Sequence, residues 1–273
     1  MEKFKLIEEK TTIIEGHTLY RVVAIKDFGS VRKGTMGGFV EKEDNLSQDG
    51  YAWVYDDACI YDDACVYDDA RVYGGARVSG NAWVLDNARV SGHAEVGGNS
   101  FVRTNARVCE NARVVGNAKV SDNAIIEGNA NVYGCADISD DAFVGGNANV
   151  FDNAAVLGRS FVAGYVIICG NARVDGRMQM IDHVMVCGNT YLYGVCEIQG
   201  DAVIESNSDY IVFKNFWSSG RYFCWTRSND KWSVGCFYGN GEQLIKKAYQ
   251  DSELSGRKYD KIVNYVDGIK KKQ

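Results

Sequence analysis

Aliphatic residues recur at every sixth position through residues 51–206, without an insertion or a deletion. The 156 residues of this segment form 26 six-residue units, such as DARVYG and NARVSG. The fourth position is aliphatic in all 26 units, the second is Ala in 19, and the sixth is Gly in 15 and Asp in 8. A helix repeats every 3.6 residues, so a strict period of six excludes one buried helical face. The pattern predicts short strands separated by two-residue corners.

In such strands, positions 2 and 4 point to one side and positions 3 and 5 to the other. Ala and Val therefore face a core, while Gly, Asp and Asn at the corners adopt the backbone angles that tight turns need. Three strands close a triangular coil, and the 26 units amount to about 8.7 coils stacked at ~4.8 Å. We expect an all-β solenoid, a parallel β-helix on the order of 40 Å long.

The repeat resembles that of the hexapeptide-repeat superfamily, whose fold is a left-handed parallel β-helix. Residues 84–89, Val-Leu-Asp-Asn-Ala-Arg, match the aliphatic and small positions of that family's repeat, and the resemblance covers 156 of the 273 residues. Many members of the superfamily transfer acyl groups from acyl-CoA, and trimers are usual among them. The resemblance therefore implies an acyltransferase and a trimer as expectations.

The segments on either side of the repeat are expected to cap its two open ends. Residues 1–50 predict a β-rich N-terminal cap, and residues 207–273 predict a small α+β domain. In the latter we expect strands at 210–217, 221–227 and 232–238 and helices at 242–253 and 259–269. Residues 23–28, 34–40 and 46–48 resemble the N-terminal segment of the YdcK-like group, hexapeptide-repeat proteins of bacteria and phages. The C-terminal segment resembles tails of phage and mobile-element proteins.

Charge and cysteine content narrow the class of protein. The chain has 30 Lys and Arg residues against 36 Asp and Glu residues, which argues against a nucleic-acid footprint over the whole surface. No apolar run approaches the ~18 residues of a membrane span, and the first residues lack the apolar stretch of a signal peptide. Nine Cys without such a signal predict reduced thiols and a cytoplasmic protein, in the host cytoplasm if a phage encodes it. Cys169 and Cys187 hold the same position in consecutive coils and stack; a disulfide is geometrically possible, but two inert thiols are favoured.

Arginine forms outward columns, because equivalent positions of consecutive coils are neighbours. One column holds Arg71, Arg89 and Arg107, and on the next face Arg77 and Arg113 flank Glu95. A column of like charges costs stability, which a bound anion or an acidic protein partner relieves. The alternative, which the sequence slightly favours, is solvated arginines whose stems pack together. Nucleic acid is disfavoured, since residues 41–69 carry ten acidic groups against one Lys and repel a duplex.

Apolar side chains occupy outward positions farther along the repeat. They are Ile125, Phe143, Phe161, Ile167 and Met185. Contiguous outward apolar columns indicate a covered surface. We expect self-association there, as a trimer first and a dimer second, together with contact from the C-terminal domain.

The C-terminal segment is rich in aromatic residues and has a positive charge balance. Trp217, Trp225 and Arg227 are candidates for a recognition face that binds a partner. The alternative, favoured for most of these aromatic side chains, is that they form the core of a small domain that needs large residues.

Catalytic chemistry has few candidates. His93 and His183 share a corner column but stand five coils apart, ~24 Å, and His17 lies outside the repeat, so the three cannot bind one zinc ion. The family's acyltransferases use a His in a groove between subunits, which makes His93 or His183 the alternative catalytic residue. The favoured interpretation of each is a corner residue that replaces Asn. The repeat has no extruded loop and the chain has no Pro, features that some of those enzymes carry.

The sequence thus favours a non-catalytic, oligomeric binding platform with no cofactor, no metal and no membrane contact. We expect an accessory protein of a phage or mobile element that binds or inhibits a host factor, such as a defence system, through protein or anionic-ligand contacts. The alternative function is an acyl-CoA-dependent acyltransferase of the hexapeptide-repeat type.

Overall fold

The six-residue units fold as short strands separated by turns, in a computed structural model that describes residues 2–270. Most strands span positions 3 and 4 of a unit, and each pairs in parallel with the equivalent strands of the preceding and following coils. Arg89, for example, pairs with Arg71 on one side and Arg107 on the other. The chain therefore winds into a three-faced parallel β-solenoid, which confirms the predicted fold class.

Each face of the solenoid is one column of stacked strands. The first face holds Trp53–Val54, Arg71–Val72, Arg89–Val90, Arg107–Val108, Ile125–Ile126, Phe143–Val144 and Phe161–Val162. The second face holds Cys59–Ile60, Arg77–Val78, Glu95–Val96, Arg113–Val114, Asn131–Val132, Asn149–Val150, Ile167–Ile168, Met185–Val186 and Val203–Ile204. The third face holds Cys65–Val66, Trp83–Val84, Phe101–Val102, Lys119–Val120, Asp137–Ile138 and Ala155–Val156. Two longer strands, Arg173–Met180 and Tyr191–Ile198, continue from the third face around a corner onto the first.

Positions 2 and 4 build the core, as the pattern predicts. Ala106 and Val108 have no exposed surface, and the same holds for nearly every equivalent residue of the repeat. The corner residue at position 6 has a left-handed backbone, with φ of 67° at Gly98 and 59° at Asp86. Asp serves there because its carboxylate also accepts a hydrogen bond from the next coil: the Thr104 amide donates to Asp86 Oδ2 at 2.9 Å. Corner carboxylates thus bind successive coils together.

The N-terminal segment extends the second face and closes the first coil. Strands Phe4–Ile14, His17–Ala24 and Met36–Val40 form an antiparallel sheet, whose last strand pairs in parallel with Cys59–Ile60. A short 3₁₀ turn, Glu43–Asn45, leads into the first coil. The buried Lys3 ammonium donates to the carbonyl oxygens of Asp49 and Ala52 at 3.1 and 3.0 Å. Carbonyls that the first coil leaves without a strand partner are satisfied in this way.

The C-terminal segment folds as a four-stranded antiparallel sheet and two helices. The 3₁₀ turn Asn207–Asp209 leads into strands Tyr210–Lys214, Tyr222–Thr226, Lys231–Val234 and Phe237–Gly239 and helices Gly241–Asp251 and Glu253–Lys270. The predicted third strand is wrong in extent, because a turn at Gly235, with φ of 59°, divides it in two. The two helices are separated by Ser252 alone, whose backbone is extended. Within residues 2–270 no helix is both long and apolar enough to cross a bilayer.

The last coil is attached to the C-terminal sheet covalently and by hydrogen bonds. A disulfide joins Cys196 of the solenoid to Cys224 of the sheet, so the prediction that every thiol is reduced is wrong for this pair. The Val203 amide donates to Ser228 Oγ at 2.7 Å. The Tyr238 hydroxyl donates to the Gln199 carbonyl at 3.1 Å. The sheet therefore covers the second open end of the solenoid, and sequence spacing gave no signal for a disulfide across 28 residues.

Candidate functional site

The arginine column lies on the first face in the predicted register. Arg71 is half-buried, and Arg89 and Arg107 are exposed. Within residues 2–270 none of the three side chains makes an ion pair or a hydrogen bond. Three guanidinium groups at successive coils therefore face solvent without an anionic partner, separated by about the ~4.8 Å strand spacing. We call Arg71, Arg89 and Arg107 the arginine column.

A shallow cavity of about 340 Å³ lies at the N-terminal end of the arginine column. Its lining residues are Tyr55, Asp56, Arg71, Tyr73 and Arg89. The two tyrosine rings pack edge to face at 6.4 Å and form an aromatic wall beside the guanidinium groups. The Asp56 carboxylate accepts a hydrogen bond from the Gly74 amide at 3.0 Å. It therefore stabilises the corner of the coil and does not pair with an arginine. The cavity thus combines two cations with planar aromatic surface, a combination that suits carboxylate or phosphate groups.

The arginines of the second face differ from the arginine column, because each meets a carboxylate. Arg113 Nε donates to Glu95 Oε2 at 2.8 Å. The Nη1 atom of Arg77 lies 3.9 Å from Oε1 of Glu15, in the turn between the first two strands of the N-terminal sheet. Their charges are compensated within the chain, which leaves the first face as the stronger candidate for binding an anion.

The predicted apolar surface spans two faces of the C-terminal half of the solenoid. Phe143 and Phe161 stack with parallel rings 4.7 Å apart, and Ile125 precedes them in the same column. Ile167 and Met185 pair in register on the second face. At the corner between the two faces the ring of Tyr165, which the sequence analysis did not single out, stacks on the ring of His183 with the centroids 5.0 Å apart. We call Ile125, Phe143, Phe161, Ile167 and Met185 the apolar belt.

A second aromatic column lies on the third face and was also missed. Tyr67, Trp83 and Phe101 follow one another with ring centroids 5.7 and 6.1 Å apart. Trp83 and Phe101 are 42% and 38% exposed. The signal was available in the sequence, since Trp83 and Phe101 occupy position 3 of units that lie one coil apart.

The C-terminal candidates do not share one exposed surface. Trp225 is fully buried in the core of the small domain, and Trp217 packs against the same core, next to the Tyr259 ring. Arg227 lies over the Trp225 ring and donates to the Ser208 carbonyl. These placements favour the core interpretation of the aromatic residues, with Arg227 binding the turn at the end of the solenoid.

His93 and His183 both lie exposed at corners of one column. The Nδ1 atom of His93 lies over Gly75 of the preceding coil, and His183 stacks on Tyr165. Within residues 2–270 neither ring is hydrogen-bonded to a carboxylate that would orient it as a general base. Their surroundings are those of corner residues, and the described part of the chain assembles no nucleophile and base around either one.

His17 forms a charge cluster at the junction of the N-terminal sheet and the first coils. Its Nδ1 lies 3.0 Å from Glu41 Oε1, and its Nε2 lies 3.4 Å from Asp62 Oδ1. The hydrogen bond with Glu41 raises the pKa of His17 and lowers the pKa of Glu41. One acceptable ligand atom from each residue lies within 4.8 Å of the others, but the two ring nitrogens point to opposite carboxylates. The geometry is that of an imidazolium bridging two carboxylates.

We expect the N-terminal sheet to open more readily as the pH rises through the pKa of His17. The folded pKa is raised, so the stabilisation is present below the ordinary value near 6.5 and is lost as the folded group deprotonates. Hydrogen exchange of the His17–Ala24 strand, corrected for intrinsic rates, should accelerate across that range. The His17→Gln variant should show no such step; an equal step in both proteins contradicts the assignment.

Comparison with known proteins agrees with the fold. The YdcK beta solenoid repeat model matches residues 64–80 and 70–86, in the coils that carry Arg71 and Arg77. A relative, "Uncharacterized acetyltransferase YdcK" of Escherichia coli (strain K12), is 35% identical over 63 residues. The match covers 20% of this chain and 19% of the relative, so the chain matches about a fifth of that protein's length. The six-residue repeat, the strand register and the matched coils all agree with a solenoid of this kind. The chain is a YdcK-like β-solenoid protein.

Proposed function

We propose that the protein is a non-catalytic, oligomeric binding platform whose arginine column binds an acidic protein partner. The observation that carries the proposal is the difference between the two faces. Arg77 and Arg113 on the second face meet carboxylates of the chain, whereas Arg71, Arg89 and Arg107 meet none within residues 2–270. The strand ladder fixes the backbone spacing of these three arginines, and Arg71 and Arg89 line a cavity with Tyr55 and Tyr73, so an acidic partner meets a regular row of cations.

The rigid scaffold supports this role. Strands pair in register along the whole arginine column, and corner carboxylates such as Asp86 join some of its coils, so the backbone sets the spacing of the arginines. The apolar belt supports self-association, as a trimer or a dimer, which presents several arginine columns on one particle. The arginine column and the apolar belt adjoin on the first face, where Arg107 pairs in register with Ile125.

The resemblance of the end segments to phage and mobile-element proteins supports a narrower role. In this role the protein is an accessory factor in the host cytoplasm that binds or inhibits a host protein, such as a component of a defence system. The acidic partner proposed for the arginine column is then that host protein.

Removing the charges of the arginine column should strongly weaken the binding of an acidic polypeptide. We expect Arg71→Gln, Arg89→Gln and Arg107→Gln together to weaken binding of fluorescein-labelled poly-L-glutamate on the order of 100-fold in fluorescence anisotropy. The matched control replaces Arg113, Arg159 and Arg173 with Gln, which removes the same charge from arginines already paired with carboxylates. That control should retain binding within about threefold. Equal losses in both triple variants, or no binding by the wild type, contradict the proposal.

The second candidate function is an acyl-CoA-dependent acyltransferase with its base at His93 or His183. It is supported by the similarity to the uncharacterized acetyltransferase YdcK and by the superfamily resemblance. Its expected consequence is stabilisation by acetyl-CoA that the His93→Ala or His183→Ala variant loses.

A further inference from the structure

Cys169 and Cys187 occupy the same outward position of neighbouring coils on the second face. The residues before them, Ile168 and Val186, pair in register, and the two Sγ atoms lie 2.6 Å apart. That separation is shorter than the ~3.5–4 Å of an ordinary non-bonded contact between carbon atoms. The backbone of two stacked coils therefore holds these thiols at close to bonding distance.

The other cysteines of the chain, all within the described residues, do not share this arrangement. Cys196 and Cys224 already form a disulfide. Cys59 and Cys65 lie on different faces, in strands that do not pair with each other. Cys109 has Ser91 and Glu127 at the equivalent positions of the adjacent coils, which makes it a matched single thiol. The close pair is thus a specific feature of two coils.

We propose that Cys169 and Cys187 are an oxidisable pair that forms a disulfide between coils by exchange with a low-molecular-weight disulfide such as oxidised glutathione. The Cys169 thiolate attacks one glutathione sulfur, forming a mixed disulfide and releasing one glutathione thiolate. The Cys187 thiolate then attacks the sulfur of Cys169 and releases the second glutathione. One S–S bond breaks and one forms, and the two cysteine protons end on the two glutathione thiols.

Burial and proximity act in opposite directions on the two steps. Burial, followed by the contact with Cys169, raises the pKa of Cys187 to about 12, so its thiolate is scarce at neutral pH. A scarce thiolate slows the exchange at neutral pH. Proximity favours the second step, since the attacking and attacked sulfurs are already adjacent.

The new bond would act on the end of the solenoid that carries the C-terminal domain. It closes one coil into a covalent ring and fixes the spacing of Ile167 and Met185, which lie in the strands that precede the two cysteines. The Cys196–Cys224 disulfide lies in the next coil and holds the C-terminal sheet. Oxidation therefore strengthens the coils that carry part of the apolar belt.

Tryptic mapping of the full-length protein without reductant tests the proposal. After incubation of the folded protein with oxidised glutathione, peptide 160–173, which contains Cys169, should be linked to peptide 178–214, which contains Cys187 and Cys196. The same species carries peptide 222–227 through Cys224, and because peptide 178–214 holds both Cys187 and Cys196, the Cys187→Ser variant assigns the two linkages. The intact mass should fall by about 2 Da relative to the protein before incubation.

Two variants make the test specific. Cys187→Ser should leave peptide 160–173 unlinked to peptide 178–214 while keeping the Cys224 linkage, and Cys109→Ser should oxidise as the wild type does. A peptide 160–173 that stays alkylatable in the folded, oxidant-treated wild type overturns the proposal. So does linkage of that peptide to a cysteine other than Cys187.

Discussion

Val108→Asp will destabilise the central coils by more than about 4 kcal/mol, the largest effect expected of a single substitution in this chain. Val108 has no exposed surface and lies in the interior column with Val90 and Ile126 of the neighbouring coils. A carboxylate there has no hydrogen-bond donor, because the amides around it are used by the strand ladder. The buried carboxylate also interrupts the stack of apolar side chains between the coils before and after it, because each coil contacts only the coils beside it.

The matched control is Asn87→Asp, which adds the same charge at an exposed corner. Asp occupies the equivalent first position in other units, such as Asp141, so this change should stay within about 0.5 kcal/mol of the wild type. Urea unfolding followed by circular dichroism compares the two variants. Equal unfolding midpoints for Val108→Asp and Asn87→Asp contradict the packing described for the core.

Phe143→Glu combined with Phe161→Glu is expected to dissociate the proposed oligomer into single chains. The two rings stack at the centre of the apolar belt, and a subunit packed on them must bury both added carboxylates without cations to pair them. Burying two unpaired charges costs more binding free energy than the loss of a single ordinary side-chain contact in an interface. Light scattering coupled to size exclusion should therefore report the monomer mass for this variant.

The control variant places the same charges on the other exposed aromatic column. Trp83→Glu combined with Phe101→Glu changes side chains that are 42% and 38% exposed, comparable with the 38% of Phe161. This protein should keep the mass of the wild-type oligomer. A wild-type protein that is already monomeric, or a Phe143 and Phe161 variant with unchanged mass, contradicts the assignment of the apolar belt.

The period of six carried most of the information about the solenoid. Once Val at position 4 and Ala at position 2 are placed inside, the stacking of Arg71, Arg89 and Arg107 on consecutive coils follows without further assumption. Because the repeat contains no insertion, the position of each residue in the sequence determines which strands pair. The spacing of 18 residues between coils also predicts which outward side chains are neighbours. The sequence alone therefore predicts the residues of the arginine column and of the apolar belt.

Contacts between the repeat and its two end segments could not be predicted in this way. The Cys196–Cys224 disulfide, the Lys3 ammonium under the first coil and the His17 cluster each join residues from different segments. No periodicity relates those positions, and docking depends on the shape of the folded ends. The turn at Gly235 could not be predicted either. Its positive φ divides in two a segment that the sequence predicts as one strand.

Native mass spectrometry of the purified full-length protein with added acetyl-CoA tests most directly whether it is a binding platform or an acyltransferase. A platform that binds through the arginine column is expected to appear as an oligomer without a specific coenzyme A adduct. An adduct of one coenzyme A per subunit that His93→Ala or His183→Ala removes, while the oligomer remains, would contradict that account and establish the acyltransferase alternative.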